Sequence, residues 1–104
     1  MDFKLIITQT ATEDLSGIVK VIARDNPDAA ARFGYEVIRR YESLQRWPHL
    51  GRMVPEQHQP EWRELIYKSY RLIYKINESE RVIYAARVWH AARGRPVIDE
   101  PETS

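Results

Sequence analysis

The chain has 104 residues, a net charge of +1, 43% apolar and 30% charged residues, and no cysteine. This composition fits one globular domain and excludes a disulfide framework, a thiolate metal site and a cysteine nucleophile. No run approaches the roughly 18 apolar residues of a membrane span, and MDFKLIITQT has too short an apolar stretch for a signal-peptide core, so a cytoplasmic protein without a membrane partner is expected.

In chain order, Asp2 to Thr8 alternates Phe3, Leu5 and Ile7 and predicts a strand. Thr10 and Glu13 have capping-box spacing, and Leu15, Ile18, Val19 and Ile22 follow at helical spacing, so a helix is expected over about Ala11 to Arg24. Asn26-Pro27-Asp28 opens a second helix: a side-chain cap, a proline in the first turn and an acid at the positive end of the dipole. Its stripe is Phe33, Val37, Tyr41 and Leu44, and Pro48 should stop it near Trp47. Two helices joined so tightly form an antiparallel hairpin.

Residues 48–60 hold three prolines (Pro48, Pro55, Pro60) and no period, which predicts a loop. Three strands should follow: Trp62 to Tyr67, Tyr70 to Ile76 and Arg81 to His90, rich in aromatic and β-branched residues. Asn77-Glu78-Ser79 matches a glycosylation sequon but is read as the turn between the last two. The expected fold is α+β, β-α-α-β-β-β, with a mainly antiparallel sheet and the N-terminal helical hairpin on one face. One domain spans residues 1–95, and residues 96–104 form an irregular acidic tail.

If Ile76 lies opposite Arg81, then Tyr74 faces Ile83 and Leu72 faces Ala85, and these residues form the apolar seat for the helices. Arg71 and Lys75 then share the second face with Val82, Tyr84, Ala86, Val88 and His90. From Trp62 to Arg95 the bases are Arg63, Lys68, Arg71, Lys75, Arg81, Arg87, Arg93 and Arg95 and the acids only Glu64, Glu78 and Glu80. The second face is therefore expected to be uncovered and to grip an anionic or polypeptide partner. The alternative is that loop 48–60 or the tail covers it.

These residues resemble the ParE/RelE superfamily of toxins from type II toxin–antitoxin modules, also called plasmid-stabilisation proteins. The likeness rests on Ala11-Thr12-Glu13-Asp14-Leu15 with Ile18, Asn26-Pro27 with Ala30-Ala31, Leu44 before Trp47-Pro48 and Gly51, Tyr70-Arg71-Leu72-Ile73-Tyr74, and Val88-Trp89-His90-Ala91-Ala92-Arg93. It spans roughly residues 3 to 95. It implies a cognate antitoxin that wraps the working surface. It also implies one of two targets: DNA gyrase, inhibited by binding as in ParE-like members, or messenger RNA on the ribosome, cut as in RelE-like members.

Metal-independent RNA cutting needs a base, an acid and cations at the phosphate. Arg71 matches the phosphate clamp, Glu56 falls roughly where some nuclease members keep a carboxylate base, and His90 could move a proton. The alternatives are that Arg71 pairs with a carboxylate such as Glu64 or contacts the antitoxin, that Glu56 is a solvated loop residue, and that His90 is structural. Ala91-Ala92 follow His90 with no nearby C-terminal tyrosine, and the loop has Arg52 but no lysine, so the nuclease set is incomplete. The His90-Ala91-Ala92-Arg93 ending is closer to ParE-like members. The favoured reading is a gyrase inhibitor whose target- or antitoxin-binding residues are Arg71, Lys75, Tyr84, Trp89, His90 and Arg93. The alternatives are a ribosome-dependent endoribonuclease using Arg71, His90 and Glu56, and an inactive homologue that only binds its antitoxin. A homodimer or a heterotetramer with antitoxin would suit any of these. His49, His58 and His90 lack ligand spacing and the glycines form no phosphate loop, so no metal and no cofactor is expected.

Overall fold

The structure, a computed structural model, describes residues 2–101. It runs β1 (Lys4–Ile7), α1 (Gln9–Asp25), α2 (Pro27–Ser43), β2 (Arg52–Met53), β3 (Trp62–Tyr67), β4 (Tyr70–Asn77), β5 (Val82–His90) and a single 3-10 turn (Ala91–Arg93). The strands form one five-stranded sheet in the order β1-β5-β4-β3-β2. Neighbours are antiparallel except β1, which runs parallel to β5. The parallel pair is possible because the helical hairpin carries the chain back across the sheet. No helix among the described residues is long and apolar enough to cross a membrane.

The cap of α1 is Thr8, not Thr10. The Thr8 hydroxyl accepts from the Ala11 amide at 3.1 Å and donates to the Ala85 carbonyl at 2.9 Å, so one side chain ends β1, starts α1 and ties both to β5. Thr10 and Glu13 lie within the helix, where Glu13 accepts from Gln9. Asn26 caps α2 as expected, accepting from the Ala29 amide at 3.0 Å. Regular α-helix ends at Ser43, four residues before Trp47. Leu44, Gln45 and Arg46 continue with bonds to the third residue back, a tightened last turn that satisfies terminal carbonyls.

On the helix side of the sheet, Phe33, Val37, Tyr41 and Leu44 of the helical hairpin pack against Leu72, Tyr74, Ile76, Ile83, Ala85 and Val88. The segment expected to be only a loop contains β2, whose Arg52 and Met53 pair with Glu64 and Arg63. Gly51 is required there, because a Cβ would lie 2.5 Å from the Glu64 carbonyl oxygen and 2.7 Å from the Tyr74 hydroxyl.

The register of β4 with β5 differs from expectation in two ways. Ile76 pairs with Ile83 and Tyr74 with Ala85, a shift of two that keeps each residue on its expected face. Asn77 causes it: its Oδ1 accepts from the Glu80 amide at 3.0 Å, and Arg81 takes a left-handed φ of 55°, moving the turn one residue along. Beyond Tyr74 the register slips again, with Ile73 opposite Arg87 and Leu72 opposite Val88, leaving Ala86 as a bulge. Val88 and His90 therefore lie on the helix side, not on the second face, and Trp89 lies opposite Arg71.

The bulge is held from the helix side. The buried Tyr41 hydroxyl reaches the carbonyls of Ile73 at 3.1 Å and Arg87 at 2.8 Å, the two residues at which the register breaks. Burial raises its pKa well above the ordinary tyrosine value, so it remains a donor. Where β1 has ended, Asp14 of α1 accepts from the Val88 amide at 3.0 Å and pairs with the Arg87 guanidinium at 2.7 and 2.9 Å.

Candidate functional site

The second face is not open. Val54, Trp62, Ile73, Ala86 and Trp89 form a small apolar cluster, with Ile98 of the tail against it. Loop 48–60 contributes Val54 and Glu56, so the expectation of an uncovered basic platform is corrected. This short chain leaves few apolar residues for the second face once the helix side is filled, and the loop and tail supply the remainder.

Beside the cluster is a chain of charges. Arg71 is 9% exposed and Glu64 1%. Arg71 Nε donates to Glu64 at 2.6 Å, and its two terminal nitrogens donate to Glu56 at 3.1 and 2.7 Å. Glu64 also accepts from Arg52 Nε at 2.7 Å. Pairing and strand geometry explain the convergence: Arg71 is opposite Ile66 on β3, Glu64 is two residues back on the same face, and Arg52 of β2 is directly opposite Glu64. Hydrogen bonding from Arg71 holds the Glu56 carboxyl below the usual carboxylate range. The Glu56 and Glu64 carboxylates outweigh the desolvation of Arg71 and raise its pKa further above the ordinary arginine value.

Lys75 and Tyr84 are direct partners on this face, and Lys75 Nζ donates to Glu100 of the tail. Trp89 is buried, with two guanidinium groups near its ring, Arg93 at 4.1 Å and Arg87 at 4.9 Å from the ring centre, and its Nε1 donates to the Gly94 carbonyl at 3.1 Å. Four of the anticipated binding residues (Arg71, Lys75, Tyr84, Trp89) thus share one face, and Arg93 reaches it through the 3-10 turn. His90 does not. Its ring stands edge-on to Tyr70 at 4.8 Å, on the helix side, and its Nδ1 accepts from the Ala92 amide at 3.0 Å, capping the 3-10 turn.

The pairing of Arg71 with Glu64 is the alternative the sequence left open for this arginine. The closing of Arg71 by Glu56 could not be read there, because a loop carboxylate has no periodic signal. The Asp14–Arg87 pair was missed for a similar reason: it joins residues 73 apart, and only an arginine in the otherwise apolar run from Val82 to Trp89 hinted at it. Among the described residues no group of three or more side chains is arranged to hold a metal ion.

The model of the ParE toxin of the type II toxin–antitoxin system parDE matches residues 5–94. The chain therefore belongs to the ParE toxin family of type II toxin–antitoxin systems. No curated protein matches the sequence. Among solved structures, the chromosomal ParDE system from P. aeruginosa is similar, with a TM-score of 0.70 at 19% identity over 85% of this chain and 95% of that one. The RelBE2 toxin–antitoxin complex from Mycobacterium tuberculosis is also similar, with a TM-score of 0.62 at 22% identity over 86% of this chain and 99% of that one. At these identities the likeness is one of fold.

Proposed function

We propose that the chain inhibits DNA gyrase by binding it in the cytoplasm and that a cognate antitoxin neutralises it, in a complex that can hold two copies of each. The family match supports the toxin, and the two similar structures, of a ParDE system and of a RelBE2 toxin–antitoxin complex, support the antitoxin. The observation that favours binding over cutting is the closure of Arg71: each of its three nitrogens donates to a carboxylate of the same chain. A phosphate clamp must offer those donors to phosphate. Glu56, held as a weak base by the same contact, and His90, on the other side of the sheet, do not complete an acid–base set around it.

The test is supercoiling by purified gyrase in the presence of the chain, alongside a translating extract with labelled message. Loss of supercoiling with intact message supports the proposal, and cut message with unimpaired gyrase refutes it. The ribonuclease reading has one observation in its favour, the approach of Glu56 to 2.7 Å from Arg71. Under that reading Arg71→Ala abolishes cutting. If the chain spares both gyrase and message, the antitoxin-only homologue is the remaining function.

A further inference from the structure

The described part of the tail, residues 96–101, crosses the second face as an extended peptide would. Pro96 is buried, Ile98 packs on the apolar cluster, and Val97 and Asp99 are exposed. Arg87 donates to the Val97 carbonyl at 2.9 Å, and Glu100 receives Lys75. Clefts of about 530 and 560 Å³ flank this strap, one lined by Lys75 and Tyr84, the other by Thr8 and Arg87, and Glu100 and Pro101 line both. The strap is thus the shared wall of what would otherwise be one trough across β5.

Its attachments are few. Glu100 remains largely exposed while it holds Lys75, and no strand pairing fixes the tail. Among the other cations of the face, Arg71 and Arg87 are matched by Glu56, Glu64 and Asp14, Arg52 by Glu64, and Arg93 lies over Trp89. What the trough offers is an apolar slot and one ammonium two residues further on. That complements a short peptide, not a phosphate backbone, which would meet the Glu61 and Glu78 carboxylates in the cleft beside Lys75.

We propose that residues 96–101 are an exchangeable strap, and that the trough beneath them binds an extended segment of a partner protein with an aliphatic residue two positions before a carboxylate, in competition with the chain's own Ile98 and Glu100. The partner's source as an antitoxin rests on the function proposed above; the exchange itself does not.

The test uses the full chain and a labelled peptide of sequence PVIDEP. Tethered at the trough, the strap acts as a competitor at roughly millimolar effective concentration. Releasing it with Ile98→Ser and Glu100→Gln together should strengthen peptide binding by about tenfold or more. Adding Lys75→Glu should remove that gain, and the peptide PVIDKP should restore it. On the wild-type chain, the Ile98 methyl resonance should move to its unstructured position as peptide is added, a readout that does not depend on the variants folding. Equal affinity before and after release, or an Ile98 resonance that does not move at saturation, overturns the proposal. Release that gains binding of a labelled RNA oligonucleotide but not of the peptide overturns it in favour of a nucleic-acid face. Because binding is read directly, failure here leaves the gyrase assay unaffected, and failure of gyrase inhibition leaves the exchange standing.

Discussion

The two faces of the sheet are closed by different physics. On the helix side, a continuous apolar layer from α2 meets an apolar layer from β4 and β5, interrupted by the Tyr41 and Tyr74 hydroxyls. On the other side a few apolar side chains alternate with ion pairs, and the cover is a loop and a strap instead of a helix. The first kind of closure is permanent, because apolar area has nothing better to do in water. The second is conditional where the strap is held, because the Lys75–Glu100 pair is exposed enough to be screened or exchanged for one with a partner. This conditional closure is the reason we propose the second face as the partner surface.

The contrast can be broken most forcefully at Glu64. Glu64→Ala leaves the buried Arg71 Nε without its acceptor beside a gap, while Glu56 keeps the terminal nitrogens, and should cost about 3 kcal/mol, read as a lower urea midpoint. Leu72→Ala opens a cavity in the helix-side core and should cost about 3 kcal/mol, and this loss should change little between low and high salt. A strong salt dependence would mean that charge, not apolar contact, closes that side and would erase the distinction between the faces. Tyr41→Phe leaves the carbonyls at the bulge without their donor and should cost about 1.5 kcal/mol. It should also weaken amide protection around Arg87 more than around Ile83, since only Arg87 adjoins the break.

The smallest effect is acid sensitivity of the outer face. Hydrogen bonding from Arg71 places the Glu56 pKa lower in the folded chain than in the unfolded one. Its contribution is therefore fully present above the ordinary carboxylate pKa of roughly 4.3 and is lost as pH falls through the depressed folded value. Wild-type stability should fall more steeply with acid below that point than the stability of Glu56→Gln, measured as urea midpoints across a pH series.

What could be seen in advance followed local rules. Asn26-Pro27-Asp28 announced α2, and the two-residue period of β4 placed Leu72, Tyr74 and Ile76 correctly on the helix side. The two-residue shift of register did no harm, because shifts of two preserve the face. The bulge at Ala86 did harm, since a single extra residue reverses everything after it and alanine gives no sign of it. Its cause is distant: Thr8, Asp14 and Tyr41 satisfy the interrupted backbone from three separate places in the chain. His90 was consequently assigned to the wrong face. That loop 48–60 or the tail could cover the outer face was an open alternative, but the residues that do so were hidden, because Glu56 lies in a segment without period and Ile98 in an acidic stretch.

The most direct measurement concerns Arg71 itself. In the full chain, the nitrogen–proton correlation of Arg71 Nε can be followed while a short single-stranded RNA is added. If Glu56 and Glu64 hold the guanidinium as described, the signal is visible, exchanges slowly with water and stays in place throughout the titration. A saturable shift of that signal would mean that Arg71 leaves its carboxylates for phosphate, and the outer face would be a cutting site instead of a binding one.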